Sequence, residues 1–333
     1  MTARPKVAFI GTGGTISSLG RDSLDILDYT ATGNRLEAQA ILDAVPEVRA
    51  VAEMVPVAFR AVPSPAIGFV EWRELVATCE RLAAEHPDLA GIVIGHGTAT
   101  LEETAYALSL TLTVDVPVVL VGSQRPMSAV SSDAGLNLVA AIRTAASVQS
   151  RGRGVLVVLN DEIQAAREVT KTSVARLQTF RTPDFGVLGQ VDGDAVRYYR
   201  RSERSHAPGT PFDIRALDAL PRVDVSYGYA DADGTAVRAF RAAGAQGIVS
   251  AGLAPGMTPP READALEEAA AAGIVVVQST RAGSGVVPLT TRLRDRGILS
   301  ADNLTPQKAR ILLALALTVT REPAAIARIF ATY

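Results

Sequence analysis

Cysteine occurs once in the 333 residues, at Cys79, so no intrachain disulfide can form and a reducing, cytoplasmic setting is the expected one. Histidine occurs three times (His86, His96 and His206), too few beside one cysteine for a typical structural zinc site, and no metal is expected. No apolar run approaches the roughly 18 residues of a membrane-spanning helix. Residues 1–6 lead into a short apolar run at 7–10, without the longer core or the small-residue cleavage site of a signal peptide. Charge of one sign is in no surplus: 33 Lys and Arg face 35 Asp and Glu, a net charge of −2. That balance argues against nucleic acid or a membrane surface as partner.

Lysine is also scarce. Only Lys6, Lys171 and Lys308 stand among the 33 basic residues, and the rest are arginine. On a solvated surface the two serve about equally, so the skew is genomic. A lysine kept in such a background marks a place where a titratable amine is needed, since arginine does not lose its proton. Random survival accounts for Lys6 and Lys308 equally well.

What is present has globular proportions, 48% hydrophobic and 20% charged, and the length suggests about two domains. Short apolar runs at 7–10, 91–95, 116–121 and 154–159 end in glycine or polar loops, and helical spacing fills 101–112 and 133–146. Buried strands alternating with helices predict an α/β fold with a mostly parallel sheet over residues 1–196. A charged stretch with Pro208, Gly209 and Pro211 reads as a linker over 197–221. A smaller α/β domain is expected over 222–333, with strands at 223–227, 247–250 and 274–278 and helices at 235–243, 261–272 and from Pro306 onward.

Three segments could carry chemistry. The loop Gly11-Thr12-Gly13-Gly14-Thr15-Ile16 follows the first strand, and ligands of open parallel sheets bind at the carboxyl ends of strands. Ile16 stands where a dinucleotide fingerprint needs its third glycine, and no Gly-Lys-Ser/Thr makes it a Walker loop, so no nucleotide cofactor is implied. The loop offers two hydroxyls and flexible amides. A second Gly/Thr loop, Gly95-His96-Gly97-Thr98-Ala99-Thr100, follows another strand and opens a helix whose Glu102 and Glu103 suit its dipole. The third segment is Asn160-Asp161 followed by Val169-Thr170-Lys171-Thr172, where a partly desolvated lysine could act as a base. Any one alone reads equally as a turn glycine or a capping threonine.

Together, these stretches resemble the bacterial-type asparaginase family of amidohydrolases over essentially the whole chain. Gly122-Ser123-Gln124-Arg125-Pro126, Gly247-Ile248-Val249-Ser250-Ala251-Gly252 and Pro306-Gln307-Lys308-Ala309-Arg310 also match, in order. The resemblance implies a two-domain asparaginase-like fold, no cofactor, and hydrolysis of a side-chain carboxamide to carboxylate and ammonia through a threonine acyl-enzyme. Thr15 would be the nucleophile, Tyr29 in the lid-like segment 22–33 its neighbour, and Thr98 with Lys171 a proton relay. Gly14, Ser64, Gly97, Ala99 and Ser123 fall at substrate-binding positions, Ser64 gripping an α-carboxylate and the Ser123 carbonyl receiving ammonia. His96 is a packing residue on this reading, and Cys79 a buried, inert one. The family's assembly is a homotetramer, a dimer of intimate dimers.

Four departures concern one feature. The family's His-Gly-Thr-Asp-Thr has Ala99 in place of the aspartate that holds the substrate's α-ammonium and pairs with the lysine. Pro65 replaces a glutamine, Pro255 stands where an asparagine is usual, and residues 284–296 hold no counterpart of the glutamate a partner subunit contributes. A buried ammonium without a carboxylate costs several kcal/mol. The family default substrate is L-asparagine; the departures favour the same chemistry on an amide whose α-position is neutral, acylated or bare. Loss of the aspartate should also lower the Lys171 pKa. A non-catalytic small-molecule-binding homologue is the third reading, and a tRNA amidotransferase subunit fits less well.

Overall fold

The structure, a computed structural model, describes residues 4–333; the stretch inspected for a signal segment begins with residues outside that range. The chain divides into two compact units, one running to Gly209 and one from Thr210 to Tyr333.

In the first unit β1 (Lys6–Gly11), β2 (Glu53–Val57), β3 (Leu89–Gly95), β4 (Val118–Val121) and β5 (Val155–Leu159) pair in parallel, in the order β2-β1-β3-β4-β5. β6 (Glu162–Ala165) turns back antiparallel on β5. β7 (Thr170–Lys171) and β8 (Phe180–Arg181) form a separate two-stranded ladder. β9 (Gly189–Asp192) and β10 (Ala195–Tyr198) then complete the eight-stranded sheet, again antiparallel. The stretch 197–221, expected as a linker, thus begins inside β10.

The central strands are apolar on both faces because helices cover both. Val7, Ala8, Phe9 and Ile10 of β1 and Ile92, Val93 and Ile94 of β3 are wholly buried. Five α-helices are among the described residues of this unit: α1 (Ala38–Ala44), α2 (Val48–Val51), α3 (Phe69–Glu85), α4 (Leu101–Thr111) and α5 (Ala134–Ala146). α5 buries Leu138, Val139 and Ile142 in one core with Val93, Val119 and Leu156 of the sheet. α4 is buried nearly all round, and α3 is tied to it where Trp72 Nε1 donates to Thr104 Oγ1 at 3.0 Å. The carboxyl ends of the parallel strands therefore rest on a rigid base.

In the second unit β11 (Val223–Tyr227), β12 (Gly247–Gly252), β13 (Val275–Thr280) and β14 (Leu299–Ser300) form a parallel sheet in chain order. Helices α6 (Thr235–Ala242), α7 (Pro260–Ala271), α8 (Thr291–Asp295), α9 (Pro306–Val319) and α10 (Pro323–Thr332) accompany it. One core gathers Val237 of α6, Leu266 and Ala269 of α7, and Ile248 and Val276 of the sheet. Lys308 is 1% exposed within α9, a structural rather than a reactive position. The fold class expected from the sequence, α/β with a larger, mostly parallel N-terminal sheet and a smaller C-terminal one, is the observed one.

Candidate active site

β1 and β3 are neighbours with Gly11 opposite Gly95, so the loops that follow them leave the sheet side by side. They touch through glycine. Gly13 and Gly14 adopt φ of 102° and 84°, and a Cβ on Gly14 would lie 2.1 Å from Gly97 Cα. The residues directly before Thr15 and Thr98 are therefore in backbone contact. A Cβ on Gly97 would in turn meet Ser64 Oγ at 2.7 Å, which brings Ser64, 6% exposed, to the same place.

The two hydroxyls of the first loop are not equivalent. Thr12 Oγ1 donates to Gly95 O at 2.9 Å and is wholly buried. Thr15 opens a short 3-10 turn, and its Oγ1 lies 2.9 Å from Tyr29 Oη. Asp22 and Asp25 shape the segment that carries the tyrosine: Asp22 Oδ1 accepts from the Leu24 N–H at 2.8 Å, and Asp25 Oδ1 from the Asp28 N–H at 3.0 Å. Thr32 Oγ1, donating to Leu19 O at 2.8 Å, closes it.

The second pair is Lys171 and Thr98, with Lys171 Nζ donating to Thr98 Oγ1 at 2.8 Å. The amine is half-buried, and burial holds its pKa below the ordinary lysine value; the charge of Glu102 opposes that shift. The direction agrees with the expectation from Ala99, but the cause is desolvation, and a carboxylate is close by. In the sequence alone, Glu102 is accounted for by the helix dipole. It lies 69 positions from Lys171, and its carboxylate accepts from the Lys171 N–H at 3.4 Å. Its place in the first turn of the helix after Thr98 carries no sequence signal of this contact.

Ser123 is buried, with Oγ donating to Arg125 O at 2.7 Å, and a Cβ on the preceding Gly122 would lie 3.0 Å from the Thr98 methyl. Its loop is held by Asp133, whose carboxylate accepts from the N–H groups of Gln124 and Arg125 at 2.9 Å each. Ala99 is exposed. Pro65 follows Ser64 in a 3-10 turn, and Pro255 lies in the loop after β12. Asn160-Asp161 does not join the cluster. Both residues have positive φ, 52° and 61°, and make the tight hairpin turn between β5 and β6.

His96 is wholly buried, its pKa pushed down to about 4 by desolvation, and Nδ1 donates to Gly97 O at 2.8 Å. It is a neutral ring that fixes the Gly97 peptide. Burial raises the Cys79 thiol to about 12 and leaves it inert. Lys6 is spent on Asp88 at 2.6 Å. Among the described residues no cluster of His, Cys, Asp and Glu suits a metal ion, and no helix is long and apolar enough to cross a membrane.

A larger, mostly parallel sheet unit, presenting threonine hydroxyls and a half-buried lysine near its strand ends, and a smaller parallel one define a two-domain α/β protein with a candidate nucleophile site. The family follows from comparison with known proteins. The model of the asparaginase N-terminal domain matches residues 6–204, and that of the glutaminase/asparaginase C-terminal domain residues 222–330. The chain belongs to the asparaginase family. It is 40% identical to a probable periplasmic L-asparaginase of Haemophilus influenzae, over 98% of this chain and 92% of that protein. It is 38% identical to L-asparaginase 2 of Escherichia coli, over 99% and 94% of the respective chains. A crystal structure of a probable cytoplasmic L-asparaginase from Campylobacter jejuni superposes with a TM-score of 0.93 at 37% identity, covering 100% of both chains.

Proposed function

We propose that the chain hydrolyses the carboxamide of a small molecule to carboxylate and ammonia, with Thr15 as nucleophile. The observation that carries this is the meeting of two hydrogen-bonded pairs, Thr15–Tyr29 and Thr98–Lys171, through the Gly14–Gly97 contact. Thr15 Oγ1 attacks the amide carbon while its proton passes, by way of the Tyr29 hydroxyl, to the amide nitrogen, and the C–N bond breaks as that nitrogen leaves as ammonia. Water then cleaves the acyl-threonine, giving its proton through Thr98 to the Lys171 amine, and that proton passes back to the departing Thr15 Oγ1 as the cycle closes. A pKa lowered by burial leaves more of that amine neutral and able to accept. Backbone amides of the two loops hold the oxyanion, each donor worth about 3 kcal/mol. Gly14 and Gly97 permit the approach, Ser64 binds the substrate carboxylate, and the Ser123 carbonyl lies on the ammonia side.

L-Asparagine is the default substrate, after the relatives' names. A second reading rests on Ala99, which is exposed and has no carboxylate to offer an α-ammonium, together with Pro65 and Pro255. On that reading the substrate is an amide without a free α-ammonium, such as succinamic acid or an N-acylasparagine. Ammonia release from L-asparagine, D-asparagine, L-glutamine, succinamic acid and N-acetylasparagine, with Thr15→Ala as control, separates the two. Fast turnover of L-asparagine sinks the specificity argument, and turnover confined to amides without the ammonium supports it. Binding without release in wild type leaves a non-catalytic homologue.

The assembly proposed from the family is a homotetramer whose rate per subunit falls on dilution below the dimer dissociation constant. One relative is named periplasmic and another cytoplasmic, so the cytoplasmic location is proposed on cysteine content alone.

A further inference from the structure

We infer that Glu102 is the carboxylate partner of the Lys171 amine, a positioning residue that takes over for the lysine the duty an aspartate at position 99 would perform. The inference rests on the relay role proposed for Lys171. Glu102 is the second residue of α4, four positions after Thr98, and is 6% exposed. The free N–H groups and dipole of a helix start favour an ionised carboxylate there. β7 carries Lys171 across this end of the helix, so that its N–H points at Glu102 Oε1 at 3.4 Å while Nζ donates to Thr98 Oγ1 at 2.8 Å. The lysine is thus held at both ends by residues of one loop-helix junction.

The other charged groups near this strand include Arg167, which is 7% exposed and has interactions of its own. Across the ladder Phe180 faces Lys171; Arg181, opposite Thr170, reaches Glu162 at 3.7 Å. Upstream, Glu168 is held by Arg200 at 2.5 Å. The Glu102 carboxylate sits on the Lys171 N–H, and its charge opposes the fall in the lysine pKa that burial causes. When the amine accepts a proton through Thr98, a half-buried ammonium forms, and a fixed negative charge nearby offsets its desolvation.

Placement gives the inference its functional content. On the family pattern a carboxylate at the exposed position 99 serves both the lysine and a substrate ammonium. Glu102 is buried at the start of α4, on the Lys171 N–H rather than at the exposed position 99. The chain thereby retains the counter-charge of its base without offering one to the substrate.

The test compares wild type, Glu102→Gln, Glu102→Gln with Ala99→Asp, and Lys171→Met. The readouts are kcat and KM against pH on the best-turned-over amide, and the pH dependence of Lys171 acylation by an amine reagent, read by mass spectrometry. The expected result for Glu102→Gln is a kcat at least about tenfold lower with KM little changed. Both the rate limb governed by the lysine and its acylation curve move to lower pH, because the neutral amine has lost the charge that opposed it. Ala99→Asp in the same chain restores kcat and the curve. A shift in the acylation curve supports the inference even without a turned-over substrate. An unmoved curve in folded Glu102→Gln, judged by its melting, overturns it, as does a kcat loss that Ala99→Asp leaves unrepaired. Turnover surviving in Lys171→Met overturns the relay reading and this inference with it, whereas an inactive Lys171→Met beside an unshifted Glu102→Gln overturns the inference alone.

Discussion

Replacing Gly14 by alanine tests the loop contact on which the site depends. A Cβ there would lie 2.1 Å from Gly97 Cα and 2.4 Å from Gly97 N, and the residue already has a φ of 84°. With a ψ of −172° the residue lies in an extended, positive-φ region that is essentially glycine-only, which costs an L residue about 1–3 kcal/mol, and overpacking against backbone adds about 1–3 kcal/mol. The obstruction is main chain, which has no rotamer to move to, so the total falls near 3–4 kcal/mol. For a unit of this size each kcal/mol lowers the melting midpoint by about 2–4 °C, hence a fall of about 10 °C. Relief requires the loops to part by about 1 Å, and a misplacement of that size between reacting groups costs about a hundredfold in rate. Gly33→Ala is the control: φ is 69°, yet nothing lies within 4 Å of its Cβ. It should lose only the conformational part, about 1 kcal/mol. Calorimetry and ammonia release measured together decide the matter. If Gly14→Ala melts with Gly33→Ala and keeps the wild-type rate, the two loops do not form one site.

Two further outcomes follow from burial. His96 has a folded pKa of about 4 against 6.5 in the unfolded chain, so the unfolded state binds the extra proton as pH falls. Stability is fully present above about pH 6.5 and is lost toward pH 4 by about 2–3 kcal/mol; His96→Asn should flatten that slope in urea titrations across the window. Cys79, wholly buried with its pKa near 12, should not react with a thiol-specific disulfide reagent at pH 8 until denaturant is added; prompt labelling of the native protein would contradict its placement.

The parts of the fold legible in the sequence are those whose residues obey one dominant requirement. β1, β3, β4 and β5 are covered on both faces, so each is an unbroken apolar run. β2 escapes such a reading because it is an edge strand, with exposed Glu53 and with Pro56. β9 and β10 lie at the opposite side of the sheet, short and with alternating or partial burial, which is why 197–221 reads as a linker from its start. Asn160-Asp161 is ambiguous for a different reason: small polar residues after a strand serve a tight turn as readily as a site, and only the positive φ values decide.

In the site, Thr15, Tyr29, Thr98 and Lys171 were marked by motif resemblance, and the structure pairs them by hydrogen bonds. Glu102 was hidden. A glutamate in the first turn of a helix has a sufficient local explanation, and nothing in linear spacing announces a lysine 69 positions later.

The scarcity of lysine gives the chain an unusual chemical address. Lys308 is sealed in α9 and Lys6 is neutralised by Asp88, whereas Lys171 is only half-buried and its burial-lowered pKa leaves more free amine near neutrality. An activated ester applied at mild pH should therefore favour one lysine side chain, the one beside Thr98. A fluorophore or photocrosslinker placed there would report occupancy of the crevice without any engineered cysteine, and a ligand that fills the crevice would shield the amine. The ligand could then be found by protection from labelling, before any reaction had been observed.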